Sequence, residues 1–211
     1  GEIEDQPLIP ITEHKMSDAG LCIKRAFDIV VSSVMLVILS PLFLVISLLI
    51  RLTSEGDIFY RQERIGLHGI PFNIIKFRTM YQHSEGNIPQ LTLDNDPRIT
   101  PLGKWLRKYR IDELPQFWNI LRGDMSIVGP RPEREHFIQQ IEKEAPYYCL
   151  TYKIRPGLTS WGPIKVGYTD TLEKMIQRLN YDIVYMEKMS LSLDIKIMFH
   201  TFSVIIHGKG K

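Results

Sequence analysis

Three observations predict an α+β fold, mainly α, that lies against a membrane. An uncharged run of 22 residues, Ile29 to Ile50, carries Ser40-Pro41 near its middle. Two short β-leaning stretches, Ile58–Arg64 and Phe72–Arg78, are separated by Gly66 and Gly69-Ile70-Pro71. Amphipathic helical patterns then recur to the C-terminus. The predicted architecture is a broken membrane helix, a small β-hairpin and amphipathic interfacial helices.

The 22-residue run comes first. As a straight helix it would extend about 33 Å, enough for a hydrocarbon core of about 30 Å. Three features speak against a simple crossing. Proline removes a backbone donor and clashes with the preceding turn, so Pro41 bends the helix. The flanks are alike, with Lys15, Lys24 and Arg25 before the run and Arg51, Arg61 and Arg64 after it, whereas spanning helices bias their basic residues to one side. Asp28, at the start of the run, needs an interface or a partner such as Arg25. On these residues alone a spanning helix and a re-entrant hairpin stand about level.

The β-leaning stretches read as a hairpin. Residues 82–97 are polar, with Gly86, Pro89 and Pro97, and read as a loop. Leu102–Tyr109 is a short basic helix that in isolation reads as a partly buried surface helix, while Trp105 beside Lys and Arg also suits a bilayer surface. Asp112–Leu121 reads as a helix with Asp112 near its N-cap and Pro115 in the first turn. Gly129-Pro130-Arg131-Pro132 and Arg155-Pro156-Gly157 are rigid turns. Glu133–Glu144, Leu172–Lys188 and Leu193–His207 are helices. The last is interrupted by Asp194, Lys196 and His200 and ends in Lys209-Gly210-Lys211, so it is interfacial or packed on the domain.

Bulk properties narrow the function. The 211 residues are 44% hydrophobic, which fits one domain with its own core. A net charge of +2, from 26 basic and 24 acidic residues, is too mild to imply nucleic acid. Cys22 and Cys149 lie far apart and outside any zinc spacing, and two free thiols suit a reducing compartment. Residues 1–20 read as a linker or tail from a preceding region, leaving a membrane-associated domain over 21–211 whose broken helix covers about 24–51.

No GxxxxGK[ST], GxGxxG or HExxH pattern occurs, which disfavours P-loop and dinucleotide folds. Basic residues recur at turns instead: Lys76-Phe77-Arg78, Arg107, Arg131 and Arg155. A guanidinium is a planar fork that matches phosphate oxygens, and a neighbouring proline or glycine limits the entropy lost on binding. Asp112-Glu113-Leu114-Pro115 reads two ways. It is a capping Asp and a first-turn Glu favoured by the helix dipole. These four residues alone favour that capping reading; the functional reading rests on the same physics, since a carboxylate beside a docked phosphate can hold Mg²⁺ and attack phosphorus.

These residues carry a resemblance. From Lys24 to Lys211 the chain resembles the monotopic phosphoglycosyl transferases, also called bacterial sugar transferases. The markers are Lys24-Arg25-Ala26-Phe27-Asp28, Ser40-Pro41, Lys76-Phe77-Arg78-Thr79-Met80, Asp96-Pro97-Arg98-Ile99-Thr100, Asp112-Glu113-Leu114-Pro115-Gln116, the run from Gly123-Asp124-Met125 through Gly129-Pro130-Arg131-Pro132, and Arg155-Pro156-Gly157-Leu158-Thr159. The resemblance implies an enzyme on the cytoplasmic face of the bacterial inner membrane, with a re-entrant helix broken at Ser40-Pro41. It implies transfer of a sugar 1-phosphate from a UDP-sugar to polyprenyl (undecaprenyl) phosphate, releasing UMP. Asp112 would be the nucleophile and would hold Mg²⁺ with diphosphate oxygens. Glu113 would take a proton from the lipid phosphate or support the site. Lys76, Arg78, Arg107, Arg131 and Arg155 would bind substrate phosphate. Membrane lipids are expected partners, nucleic acid is not, and a homodimer is compatible with the family.

Two departures qualify the match. Many members continue the Arg-Pro-Gly motif with Ala-Gln-Val-Asn-Gly-Arg after a Trp, where this chain has Gly162-Pro163-Ile164-Lys165-Val166-Gly167-Tyr168, so the sugar does not follow by analogy. Residues 1–20 resemble the linker that precedes this domain in long-form members. Two alternatives remain at this point: direct attack by the lipid phosphate with Asp112 only a metal ligand, and a non-catalytic membrane-docked scaffold.

Overall fold

A computed structural model describes residues 16–82, 84, 92, 96–167 and 171–207. The expected linker over 1–15, most of the 82–97 loop, Tyr168 and the tail Lys209-Gly210-Lys211 lie outside the described residues. Helices α1 (Asp18–Ile38) and α2 (Ser40–Thr53) come first, followed by strands β1 (Phe59–Ile65) and β2 (Pro71–Phe77). Next come α3 (Pro101–Lys108), a 3-10 helix (Ile111–Gln116), α4 (Phe117–Arg122), β3 (Ser126–Val128) and α5 (Glu135–Glu144). A 3-10 helix (Pro146–Lys153), β4 (Gly157–Thr159), α6 (Trp161–Val166), α7 (Leu172–Glu187) and α8 (Leu191–Ile206) complete the described chain. β1 and β2 form the expected antiparallel hairpin, with Tyr60 opposite Lys76. β3 and β4 pair in parallel.

The start of α1 corrects the expected boundaries. The helix opens at Asp18, inside the stretch read as linker and before the expected start near residue 24. Gly20 suggested a linker, but Ser17 caps the helix by accepting the Gly20 N–H at 3.2 Å, and Asp18 sits where the dipole favours an acid.

The break at Ser40-Pro41 has a local cause. Pro41 has no N–H to offer the carbonyl one turn back, that of Val37. The Ser40 hydroxyl donates to that carbonyl at 2.8 Å. A bend therefore forms without an orphaned acceptor in apolar surroundings, where each orphan costs several kcal/mol. α1 and α2 meet at 58°. Among the described residues no single helix is long and apolar enough to cross a membrane, and only the bent pair passes by length and composition. Its outer face is bare: Val37, Leu44 and Leu52 are each 73% exposed. Contiguous apolar surface of this kind marks association with a membrane or partner.

The inner face of the pair carries the site scaffold. Ile46 and Ile50 of α2 pack with Phe77 of β2 and Leu106 of α3 in one buried cluster. Phe43 meets Phe77 edge-on, with ring centroids 5.3 Å apart. A second cluster joins β2, α4, β3, α7 and α8 through Ile74, Ile120, Ile127, Tyr185 and Ile197. A third binds α5 to α7 through Ile138, Ile141, Met175 and Leu179. β2, which carries Lys76 and leads into Arg78, and α3, which carries Arg107, are thus packed on the bent helix pair itself.

Polar groups tie α1 to the same body. Asp28 is buried, and its hydrogen-bond partner is the Ile127 N–H at 3.1 Å, on β3, in place of the expected Arg25. Arg25 instead donates to the Ile120 and Leu121 carbonyls at the end of α4. Lys24 and Asp194 form a buried ion pair at 2.5 Å, and the Tyr185 hydroxyl donates to Asp194 at 2.7 Å. Asp194, which interrupts the apolar pattern of α8, therefore packs α8 on the domain. Removing one partner of a buried pair leaves an uncompensated charge. Asp194→Ala is predicted to lower stability by about 3–5 kcal/mol, while Lys24→Met with Asp194→Leu stays within about 1 kcal/mol of the parent. Thermal unfolding of the detergent-solubilised variants checks both values.

Candidate active site

Asp112 and Glu113 do not cap a regular helix. Residues Ile111–Gln116 form a 3-10 helix, and the α-helix α4 begins only at Phe117. The expected Asp112–Leu121 helix is therefore split, and no side-chain cap bond forms at the start of the 3-10 segment. Arg110 adopts a left-handed conformation, φ 53°, between α3 and the 3-10 helix. That conformation costs a non-glycine residue of order 1 kcal/mol. It turns the chain sharply enough for Arg107, Arg110, Asp112 and Glu113 all to line one cleft.

The cleft has a volume of about 1260 Å³. Among the described residues, ten Arg and Lys side chains line it against four Asp and Glu, so their field attracts anions. The two adjacent acids experience that field unequally. Glu113 lies 2.8 Å from Lys76 Nζ, 3.4 Å from Arg131 Nη2 and 3.6 Å from Arg110 Nε. Among the described residues no hydrogen bond or ion pair engages the Asp112 carboxylate, although Asp112 is only 8% exposed. Burial first, and then the neighbouring Glu113 charge, raise Asp112 above the usual aspartate range, against Lys76, Arg107 and Arg110. Burial also opposes charge on Glu113, but Lys76, Arg110 and Arg131 outweigh it and hold that carboxyl well below the usual glutamate range. Burial lowers Lys76 from the ordinary ammonium range, with Glu113 opposing. The result is a clamped, ionised Glu113 beside an unclamped Asp112.

Other elements set the remaining walls. Arg107 donates from Nε to the Thr79 hydroxyl at 2.9 Å, which fixes α3 on the end of β2. Arg131 sits on a loop held by buried Asp182, which accepts the Arg131 N–H and the Gly162 N–H, each at 3.0 Å. Glu133 ties β1 to α7, accepting from Arg64 at 3.0 Å and pairing with Arg178. The β3 and β4 backbones cross almost in contact. A Cβ on Gly157 would lie 2.2 Å from the Gly129 nitrogen, so only glycine fits.

Of the residues singled out in the sequence, Lys76, Arg78, Arg107, Asp112, Glu113 and Arg131 line the cleft together. Arg155 does not line it. Its Nε donates to the Gly123 carbonyl at 2.9 Å, at the end of α4, so this arginine supports a helix terminus. Sequence reasoning missed Arg110, Arg64, Glu133, Arg178 and Asp182. The only signal for Arg110 was its place two residues before Asp112. Arg64 shares a strand face with Tyr60 and Gln62, an alternation too short to mark a site.

Among the described residues no three His, Cys, Asp or Glu side chains converge on a metal site. Mg²⁺ commonly uses one or two carboxylates and completes its shell with water and substrate phosphates. Asp112 supplies one such hard oxygen donor in a cleft built for anions. The residues present fit Mg²⁺ in company with a bound phosphate.

A family model described as bacterial sugar transferase matches residues 19–208. The chain is 41% identical over 188 residues to the UDP-N-acetylgalactosamine-undecaprenyl-phosphate N-acetylgalactosaminephosphotransferase of Aeromonas hydrophila, covering 89% of this chain and 44% of that protein. It is 40% identical to the UDP-glucose:undecaprenyl-phosphate glucose-1-phosphate transferase of Escherichia coli (strain K12), covering 95% and 44%. It is 36% identical to the exopolysaccharide production protein ExoY of Rhizobium meliloti (strain 1021), covering 96% and 93%. The chain thus spans under half the length of the first two relatives and nearly all of the third. Those first two act on different sugars at nearly equal identity, so overall similarity does not select a sugar.

The unequal acids predict opposite stability effects. Asp112 has a raised value, so the folded state binds its proton more readily than the unfolded chain, and its charge costs stability at neutral pH. Asp112→Asn is predicted to raise the melting temperature by a few degrees. Glu113 has a lowered value, so its contribution is present above the ordinary glutamate range and is lost as pH falls through the lowered value. Glu113→Gln is predicted to lower stability by about 3 kcal/mol at neutral pH, because Lys76 and Arg131 lose their buried counter-charge. Differential scanning fluorimetry of both variants at neutral pH reads the two signs.

Proposed function

The chain belongs to the bacterial sugar transferases, and on that premise we propose that it moves a sugar 1-phosphate from a UDP-sugar to polyprenyl phosphate. The observation that carries this reading is the buried Asp112 carboxylate, which engages no described side chain amid a cleft of cations. An Asp112 oxygen attacks the phosphorus that bears the sugar. The bond from that phosphorus to the bridging oxygen breaks, its electrons leave with UMP, and an acyl phosphate joins the sugar phosphate to Asp112. An oxygen of the lipid phosphate then attacks the same phosphorus and the Asp112 carboxylate departs. The product is a polyprenyl-diphosphate-sugar, the first membrane-bound precursor of a bacterial glycan.

Lys76, Arg107, Arg110 and Arg131 would neutralise the donor diphosphate and the leaving UMP. Asp112 would hold Mg²⁺ together with diphosphate oxygens, and the ion would supply further charge neutralisation at phosphorus. Glu113 acts here as a positioning residue. Its three basic partners keep it ionised far below neutral pH, which makes it a poor proton acceptor and a good anchor for Lys76, Arg110 and Arg131. The names of the Aeromonas and Escherichia relatives support both substrates. A scaffold has no use for a buried acid without a partner, and buried groups of that kind concentrate at reactive centres.

The bent α1–α2 pair supports a re-entrant seat in the membrane. Both of its ends would then lie on one face, and a nucleotide-sugar donor would put that face on the cytoplasmic side of the inner membrane. Exposed, unpaired Cys22 and Cys149 suit that reducing compartment.

Incubation of purified protein with a panel of UDP-sugars, Mg²⁺ and polyprenyl phosphate is predicted to release UMP with at least one sugar. Asp112→Asn is predicted to lower that rate by about 10³-fold or more. A panel with no UMP release would sink the proposal. The pH profile adds a second expectation. The nucleophile is the ionised form and its value is raised, so kcat/KM for the donor falls as pH drops, with an acid limb above the ordinary aspartate range.

A further inference from the structure

We propose that Arg78 receives the phosphate of the lipid acceptor, in a subsite built onto the end of α2 and separate from the cradle around Glu113; this rests on the transferase reading above. Arg78 lines the same cleft as Asp112 but is only 8% exposed. Its Nη2 donates to the Ser54 carbonyl and the Ser54 hydroxyl, each at 2.8 Å. Ser54 is the residue that closes α2, with its own N–H bonded to the Ile50 carbonyl. The guanidinium is therefore fixed to the end of the bent helix pair.

The remaining donors of Arg78 are the unusual feature. Nε and Nη1 are buried and have no hydrogen-bond partner among the described residues. Among the described residues no carboxylate pairs with Arg78, whereas Lys76, Arg110 and Arg131 all engage Glu113. Arginine does not shed its proton, so a buried guanidinium with idle N–H groups is costly until an anion completes it. Gly56, at φ +110°, lies against the same edge, and a Cβ there would fall 2.3 Å from Nη1. The Gln82 side-chain oxygen lies 2.2 Å from the same position, so glycine at 56 leaves room there for both the guanidinium edge and the Gln82 amide, which accepts no hydrogen bond from Nη1.

Position selects the ligand. The exposed apolar face of α2 runs through Leu48 to Leu52, two residues before Ser54. A prenyl chain lying along that face brings its terminal phosphate monoester to Ser54 and Arg78. A water-soluble nucleotide sugar has no need of that approach and meets the Lys76, Arg110 and Arg131 group instead. Charge-assisted bonds from arginine to phosphate are among the stronger hydrogen bonds, so their loss is readable as acceptor affinity.

Two rates measured on the protein in nanodiscs test this. One is UMP released from UDP-sugar without acceptor, and the other is polyprenyl-diphosphate-sugar formed against polyprenyl phosphate concentration. Arg78→Gln is expected to raise KM for polyprenyl phosphate about 10- to 100-fold, and to depress the UMP-releasing step far less. Ser54→Ala removes one of the two anchors of Nη2 without touching the guanidinium. It is expected to raise the same KM about threefold, and it carries the test alone if the buried Arg78 substitution does not fold. Equal loss in both steps would assign Arg78 to the donor and overturn the proposal, as would an unchanged acceptor KM in a folded variant. A parent protein that released no UMP would contradict the transferase reading itself, a result distinct from either.

Discussion

The clamp on Glu113 is the constraint from which the site follows. Three cations reach this carboxylate from three separate elements: Lys76 from β2, Arg110 from the turn after α3, and Arg131 from the loop after β3. One buried negative charge thereby fixes the relative places of those elements. In a low-dielectric cleft these attractions are large, and so are the repulsions among the cations that Glu113 offsets. The neighbouring Asp112 experiences Lys76 and Arg110, together with Arg107, without contact. Its charge is disfavoured by burial and by Glu113, and its oxygens stay available. Adjacent positions in one 3-10 turn thus yield two electrostatically different acids, one clamped and one free of side-chain partners among the described residues.

The bent α1–α2 pair and the site share one mechanical body. α2 presents Leu44 and Leu52 outward and Ile46 and Ile50 inward, and the inward pair packs on Phe77 and Leu106. Phe77 sits between Lys76 and Arg78 in sequence, so alternation along β2 sends the aromatic ring to the helix pair and the flanking cations to the cleft. α1 is tied by Asp28 to β3 and by Lys24 to α8. The exposed apolar faces and the cations of the cleft are therefore held at fixed heights relative to one another. That arrangement suits a reaction with one substrate in lipid and one in water.

Much of this was legible in the residues. Period-2 and period-3.6 patterns located the hairpin, α3, α5, α7 and α8 to within two residues at most ends, and Ser40-Pro41 marked the bend through proline's missing donor. Strands β3 and β4, three residues each, are too short for alternation to register, and they appear only because Gly129 and Gly157 let two backbones touch. The division of Asp112–Leu121 into a 3-10 turn and α4 depends on Arg110 entering a left-handed conformation, which no propensity would favour. Arg155 looked equivalent to Arg131 because both precede proline. Their side chains part because β3 and β4 run parallel but the residues sit at opposite ends of their strands, Arg131 after β3 and Arg155 before β4. Asp28 took a backbone N–H from β3 where an arginine three residues away seemed nearer, and only tertiary contact reveals that partner.

The central claim is that the free acid, not the clamped one, carries the sugar phosphate. Peptide-mapping mass spectrometry of the protein quenched after incubation with a turned-over UDP-sugar, without lipid acceptor, tests it most directly. The account predicts a phosphosugar mass increment localised to Asp112 and discharged on adding polyprenyl phosphate. An increment on Glu113, or turnover by a protein that never acquires an increment, would contradict it.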